Sequence, residues 1–265
     1  MKLTIFAATG GIGRHLLEQA VAAGHDVTAV ARSPEKLPGG AVRVVRADLA
    51  APDPAALESA VAGADAVLSG LGPRSNADAG IAARGTAAIV AAMQATHVRR
   101  IVVVSAAPVG TVPSPGRPRP PRHDPGDGFF MRHLFSHVAG AAFGKVYTDL
   151  ALMEDILRDS GLDWTVVRPP RLTDRPGTGR YRTAYGQNVR GGWIVPRATP
   201  PAACCGRPGR PRRSSRSSGS PAEAGAQPAS APPCRWARLS FATCVMRSYG
   251  TGRDSGNFSV LFADR

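Results

Sequence analysis

The chain reads as an α/β fold built on a doubly wound parallel sheet, and three observations point to it. Short apolar runs alternate with helical patterns through the first 110 residues. The first apolar run ends in a turn crowded with glycine, directly before the first helical pattern. The regular beat lasts to about residue 195 and then dissolves into Arg, Pro and Ala.

Residues 2–7 form a short apolar run ending at glycine, the mark of a buried strand. Over residues 12–23, Ile12, Leu16, Leu17, Ala20 and Val21 fall on one helical face, and Gly24 stops the helix. Residues 26–31 make a second strand. Ser33 and Pro34 open a short helix as cap and first-turn proline. The third strand, 42–46, runs to Asp48. Asp53 or Pro54 starts a helix to Val61, and 65–69 is the fourth strand. A long helix over 77–95 precedes a fifth strand, 100–105. Residues 111–128 are too rich in proline and glycine for regular structure. Residues 129–138 read as helical. Residues 145–160 make a firm helix with Val146, Leu150, Met153, Ile156 and Leu157 on one face and Gly161 as its stop. The sixth strand, 164–167, enters Pro169-Pro170. Strands and helices alternating at this spacing imply right-handed crossovers and parallel pairing.

Residues 196–238 lack the apolar content to bury a core, so a folded domain over 1–195 is expected to precede a low-order Arg/Pro/Ala-rich tail over 196–265. The net charge is +14, and the tail alone, with 11 Arg against three acids, holds +8 of it. A nucleic-acid surface is therefore not expected on the folded part, and residues 196–233 lack the interleaved aromatics of a nucleic-acid arm. Only three of the 33 basic residues are lysine, a bias of GC-rich coding DNA. The tail's composition fits an out-of-frame translation or a fusion, with a natural low-order tail as the alternative.

Cys204, Cys205, Cys234 and Cys244 all fall in that tail, without the paired spacing of a zinc site. His133 and His137 are four apart on a helical stretch, but no partnering ligands follow, so no metal is expected. There is no leader-like start and no apolar run of the ~18 residues a span needs, so a cytoplasmic location without membrane contact is the expectation.

The chemistry centres on Ala7-Ala8-Thr9-Gly10-Gly11-Ile12-Gly13, between the first strand and the first helix. Gly10 and Gly13 let the backbone approach a pyrophosphate and let helix pack on strand, while the helix N-terminus offers free N–H groups and a positive dipole end. The usual pattern has glycine at position 7. The alanine here is expected to weaken binding without abolishing it, provided residue 7 keeps a β-type backbone. Cofactor choice is read at the end of the second strand, where NAD would call for an acid. Arg32, followed by Ser33, instead suits a 2′-phosphate, so NADP(H) is expected over NAD(H). Asp48 and Leu49 are placed to meet the adenine, with a turn cap as the alternative role for Asp48. Gly70, after the fourth strand, permits close approach or simply makes a turn.

On these residues the chain resembles the atypical short-chain dehydrogenase/reductases of the NAD(P)H-binding group, which includes the biliverdin-IXβ/flavin reductases and the nitrogen-metabolite-repression regulators. The resemblance covers residues 1–193. It rests on the glycine turn, Ala31-Arg32, Ala47-Asp48-Leu49, Val104-Ser105-Ala106 and the long block from Tyr147 to Asp174. It implies hydride transfer from NADP(H) to a flavin, quinone or similar conjugated small-molecule acceptor, chemistry that the cofactor largely supplies. It implies Ser105 beside the nicotinamide, and Pro169, Pro170 and Arg171 lining its pocket. Arg171 stands where the reductases carry histidine, which favours an anionic acceptor. Ser105, Arg171 and Tyr147 are the candidates at the reactive end. The Tyr-x-x-x-Lys pair of ordinary short-chain dehydrogenases is missing: Ala151 follows Tyr147 at the lysine position, and Lys145 lies on another helical face. Tyr147 is thus expected to pack or to touch substrate. The alternatives are a regulator that holds NADP(H) without turnover, or the nonfunctional product of a damaged gene. The family closes its sheet with a further strand and helix beyond the position of Trp193. Their lost pattern here leads to an expectation of thin cover on the substrate side. A monomer is expected.

Overall fold

The computed structural model describes residues 1–37, 42–127, 136–176, 181–199 and 258–264. In chain order the elements are β1 (Lys2–Phe6), α1 (Gly11–Ala22), β2 (Asp26–Ala31), β3 (Arg43–Arg46), α2 (Pro54–Val61), β4 (Ala66–Ser69), α3 (Ile81–Ala95), β5 (Arg100–Val104), α4 (Ser136–Asp159), β6 (Asp163–Arg168), β7 (Arg171–Thr173), β8 (Tyr181–Tyr185), β9 (Ile194–Pro196) and β10 (Phe258–Asp264). Short 3₁₀ turns lie at Pro34–Lys36, Asn76–Asp78 and Ala107–Thr111.

The main sheet runs β3-β2-β1-β4-β5-β6-β10-β8. All pairings from β3 to β10 are parallel, and β8 is antiparallel to β10. The fold is the expected doubly wound α/β type. Successive strands step one way from β1 to β3 and the other way from β4 onward. That reversal leaves a crevice at the carboxyl ends of β1 and β4, where ligands bind in such sheets. Register brings the ends of three strands level there, with Phe6 opposite both Val30 and Ser69.

Two apolar layers hold the sheet. On one face Leu16, Leu17 and Ala20 of α1 pack on Leu3, Ile5, Ala29 and Leu68. On the other, Leu57 of α2, Ile89 and Met93 of α3, and Met153 and Leu157 of α4 cover Phe6, Val67, Ile101 and Val103. Such parallel strands are buried on both sides, which is why their sequences are continuous apolar runs.

Helix ends follow local chemistry with one tertiary exception. Gly24 takes φ +76° after α1, and the Asp53 carboxylate caps α2 by accepting from the Ala55 N–H at 3.0 Å. The helix expected over 77–95 is divided. Gly80, at φ +95°, separates the 3₁₀ turn from α3, because the buried Asp149 of α4 accepts from the Ala82 and Ala83 N–H groups at 3.0 and 2.9 Å. A carboxylate on those free donors fixes where α3 begins. The helix expected from 145 extends back to Ser136 and kinks at Phe143 (φ −127°, ψ 19°).

Toward the end of the chain, two more strands join the described residues. β9 pairs in parallel with β7 and runs to Pro196, across the boundary placed at 195. β10 lies inside the segment expected to be low-order, and it extends the sheet beside β6. Its sequence, Phe-Ser-Val-Leu-Phe-Ala-Asp, is dense in strand-favouring residues that the average composition of the tail concealed. Val102, Val104 and Val167 of the central strands are buried. The four cysteines, His133, the 196–238 tail beyond residue 199 and most of the helix expected over 129–138 fall outside the described residues. Among the described residues, no helix is long and apolar enough to cross a membrane.

Candidate functional site

A cleft of about 810 Å³ opens at the crevice between the carboxyl ends of β1 and β4. Its floor is the glycine turn. Gly10 donates its N–H to the Ala7 carbonyl at 2.8 Å, and Arg14 donates to the Gly10 carbonyl at 2.9 Å, so the chain passes straight from turn into helix. Gly13 is obligatory in this packing: a Cβ there would lie 2.0 Å from the Ala7 carbonyl oxygen. A Cβ on Gly70 would lie 2.9 Å from the Gly13 nitrogen, so the end of β4 supports the turn from below. The close-approach role of Gly70 is therefore toward the turn's own backbone.

Ala7 departs from expectation. Its φ is +55°, in the left-handed region, not the β-type backbone anticipated. The bend that brings the Ala7 carbonyl onto the Gly10 N–H requires it, and the usual glycine would accept it without strain.

Ala7, Thr9, Gly10, Gly11 and Ile12 line the cleft, with Gly13 packed beneath. At one end stand Arg32, Asp48 and Leu49. Arg32 is exposed and makes no hydrogen bond or ion pair with the described residues. Asp48 lines the cleft, and its carboxylate caps the local turn by accepting from the Ala50 N–H at 3.0 Å. Arg74 and Arg84 add two cations to this wall.

At the other end are Ser105, Tyr147 and Leu172. The Ser105 hydroxyl donates to Glu154 Oε1 at 2.8 Å. Arg168 holds the same carboxylate through both of its oxygens, with Nε 2.8 Å from Oε1 and a terminal nitrogen on Oε2. Glu154 and Arg168 are both almost fully buried. With its proton directed to Glu154, Ser105 presents oxygen lone pairs to the cleft and acts there as an acceptor. The neighbouring Asp155 organises the loop above: it accepts from Ser114 Oγ at 3.0 Å and the Gly116 N–H at 3.0 Å, and it pairs with Arg158. Burial works against ionisation of Asp155, but these hydrogen bonds outweigh it and hold the carboxyl below its usual range. Burial pushes the Tyr147 hydroxyl above its usual range, and Ala151 is in the core, so no neighbour counters that shift.

Besides Gly13, packed beneath, the expected residues Ser33, Pro169, Pro170 and Arg171 lie outside the cleft wall. Ser33 precedes the Pro34–Lys36 turn without a side-chain cap bond. Pro169 is buried, its carbonyl accepting from the Ala107 N–H at 2.9 Å. Arg171 is exposed on β7, and its neighbour Leu172 faces the cleft, because alternate residues of a strand point to opposite sides. Glu154, Arg168 and Arg197 were not anticipated. Glu154 had a signal: it sits four residues after Leu150 and three before Leu157, so an acid falls on the apolar face of α4.

Solved structures of other proteins share this fold. The fold is shared with the anaerobilin reductase ChuY from Escherichia coli O157:H7, at 25% identity and TM-score 0.58 over 77% of this chain and 88% of that one. It is shared with a wide-type short-chain dehydrogenase/reductase from Veillonella parvula DSM 2008, solved in complex with NADP, at 20% identity and TM-score 0.58 over 76% and 84%. A Streptococcus pneumoniae TIGR4 protein provisionally named an NADH-flavin reductase aligns over 100% of both chains at 18% identity and TM-score 0.61. A family model described as NAD(P)H-binding matches residues 7–199, from the first residue of the glycine turn to just past β9. The chain belongs to that NAD(P)H-binding family.

Proposed function

We propose that this chain is an NADP(H)-dependent reductase that delivers hydride to a conjugated acceptor such as a flavin or quinone. One observation carries the reading: the glycine turn, Arg32 and Ser105 line a single cleft, with the phosphate-binding turn between the other two. Its volume, about 810 Å³, is in the ordinary range for a cofactor site. The residues fit the cofactor. The turn and the N-terminus of α1 supply N–H donors for the diphosphate. Arg32, uncommitted to any described partner, offers a planar fork for a 2′-phosphate. Ser105, acting as an acceptor, would hold an N–H of the carboxamide. Bound NADPH supplies the hydride.

The protein's own groups favour a conjugated acceptor. Tyr147 stays protonated through neutral pH and lacks a lysine partner, and the Ser105 proton is held by Glu154. A tyrosine without a lysine partner is a weak acid and the Ser105 proton is engaged, which favours an acceptor that takes hydride with little acid help from the wall. The V. parvula neighbour's complex with NADP and the reductase name of ChuY support this reading. The lack of a proton relay at Tyr147 and Ser105 also favours one second reading, a regulator that holds NADP(H) without turnover. Steady-state oxidation of NADPH with FMN, dichlorophenolindophenol and a quinone separates the two. Acceptor-dependent turnover supports the reductase. Saturable NADPH binding with no turnover on any of the three overturns it in favour of the regulator.

A further inference from the structure

We infer that Arg197, carried on the β7–β9 ribbon, is a diphosphate clamp that closes the cofactor cleft from the side opposite the glycine turn. This rests on the cofactor reading above. Arg197 lines the cleft directly over Gly11: a Cβ built on Gly11 would lie 2.9 Å from Arg197 Cδ, 3.3 Å from Nε and 3.4 Å from a terminal nitrogen. Glycine at the first residue of α1 lets that side chain lie against the backbone, where a Cβ would push it aside. The guanidinium therefore sits where the free N–H groups of the helix point.

Three ties hold it there. The Arg197 N–H donates to the Thr173 carbonyl at 2.7 Å, continuing the β7–β9 pairing. Gln19 of α1 donates to the Ala198 carbonyl at 2.9 Å, so the ribbon is fastened to the helix it covers. Arg197 Nε donates to Asp174 Oδ1 at 2.8 Å. Asp174 is exposed, and the hydrogen bond and charge of Arg197 hold its carboxyl below the usual range. This orientation occupies Nε and leaves both terminal nitrogens without a described partner, facing the cleft. Two parallel donors on a planar fork match the oxygens of a diphosphate. The helix dipole and the turn supply donors from below and Arg197 supplies charge from above, so the clamp recognises the diphosphate rather than either base.

The test is calorimetric titration of the full chain and its R197A and R197K variants, with thermal unfolding as the check on folding. The two probes are NADPH and adenosine 2′-monophosphate, which lacks the diphosphate. R197A is expected to bind NADPH about tenfold to a hundredfold more weakly, the worth of a hydrogen bond to a charged group, with adenosine 2′-monophosphate unaffected. R197K is expected to recover part of the loss, because it restores the charge without the fork. Equal NADPH affinity in wild type and R197A overturns the clamp, and so does an equal loss for both probes. Absence of NADPH binding by the wild-type chain sinks the cofactor reading itself, a result distinct from a wild type that binds and a variant that binds equally well.

Discussion

Ala7 is the position where backbone physics and site geometry collide, and replacing it by glycine gives a directional prediction. Its φ of +55° puts the methyl too close to the peptide that follows, at a cost of about 1–2 kcal/mol for an L-residue. The turn cannot relax, because the Ala7 carbonyl accepts from Gly10 at 2.8 Å and the Ala8 N–H donates to the Val30 carbonyl at 3.1 Å. Glycine removes the strain but gives back roughly 0.5–1 kcal/mol through the freedom of the unfolded chain. The net gain is about 0.5–1 kcal/mol, a rise of about 1–4 °C in melting temperature for a domain of this size. Differential scanning calorimetry of A7G against wild type reads it. The β-branched variant A7V should shift the opposite way by more than the gain, since such side chains are outliers at positive φ. A melting temperature that falls in A7G, or an A7V protein as stable as wild type, refutes the strained-turn reasoning. NADPH affinity in A7G should be equal or tighter, because the methyl lost is one that lines the cleft.

Other predictions follow from neighbouring contacts. In G13A the new methyl meets backbone at 2.0 Å, so α1 must lift off its strand; this should cost about 1–3 kcal/mol in thermal unfolding and most of the NADPH affinity. G72A meets nothing within 4 Å and should change stability by less than about 0.5 kcal/mol. R168A strands the buried Glu154 carboxylate and should cost about 3–5 kcal/mol by denaturant unfolding. The hydroxyl of Tyr147 is held above its ordinary value by burial, so its contribution to stability is complete below about pH 10 and is lost as pH rises through the higher folded value. The slope of melting temperature above pH 10 should therefore be shallower in Y147F, whose turnover between pH 6 and 9 should keep the wild-type pH profile. R32E should lower the preference for NADPH over NADH, read as the ratio of their dissociation constants.

The first six strands and the glycine turn were legible because each is a short-range signal. An apolar run, a glycine and an amphipathic stripe stand next to one another, and Phe6, Gly10, Gly13 and Leu17 do in the fold what their spacing says. The Arg32 end of the cleft was legible for the same reason, since Arg32 directly follows β2 and Asp48 lies two residues beyond β3. What escaped depends on distant partners. Asp149 resets the start of α3 from 66 residues away, and Glu154 reaches Ser105 across 49. Arg197 reaches the turn only because β9 pairs with β7, and three-residue strands carry almost no periodic signal. Arg171 was placed by analogy at the pocket, but the alternation of β7 turns Leu172 inward instead. β10 was hidden because composition averaged over 70 residues outweighs one seven-residue strand.

The most direct measurement of the central claim is calorimetric titration of the intact, folded chain with NADPH and, separately, with NADH. Saturable one-to-one binding of NADPH is expected, tighter than that of NADH, with both weakened in G13A. Folded protein that takes up neither nucleotide at millimolar concentration contradicts it.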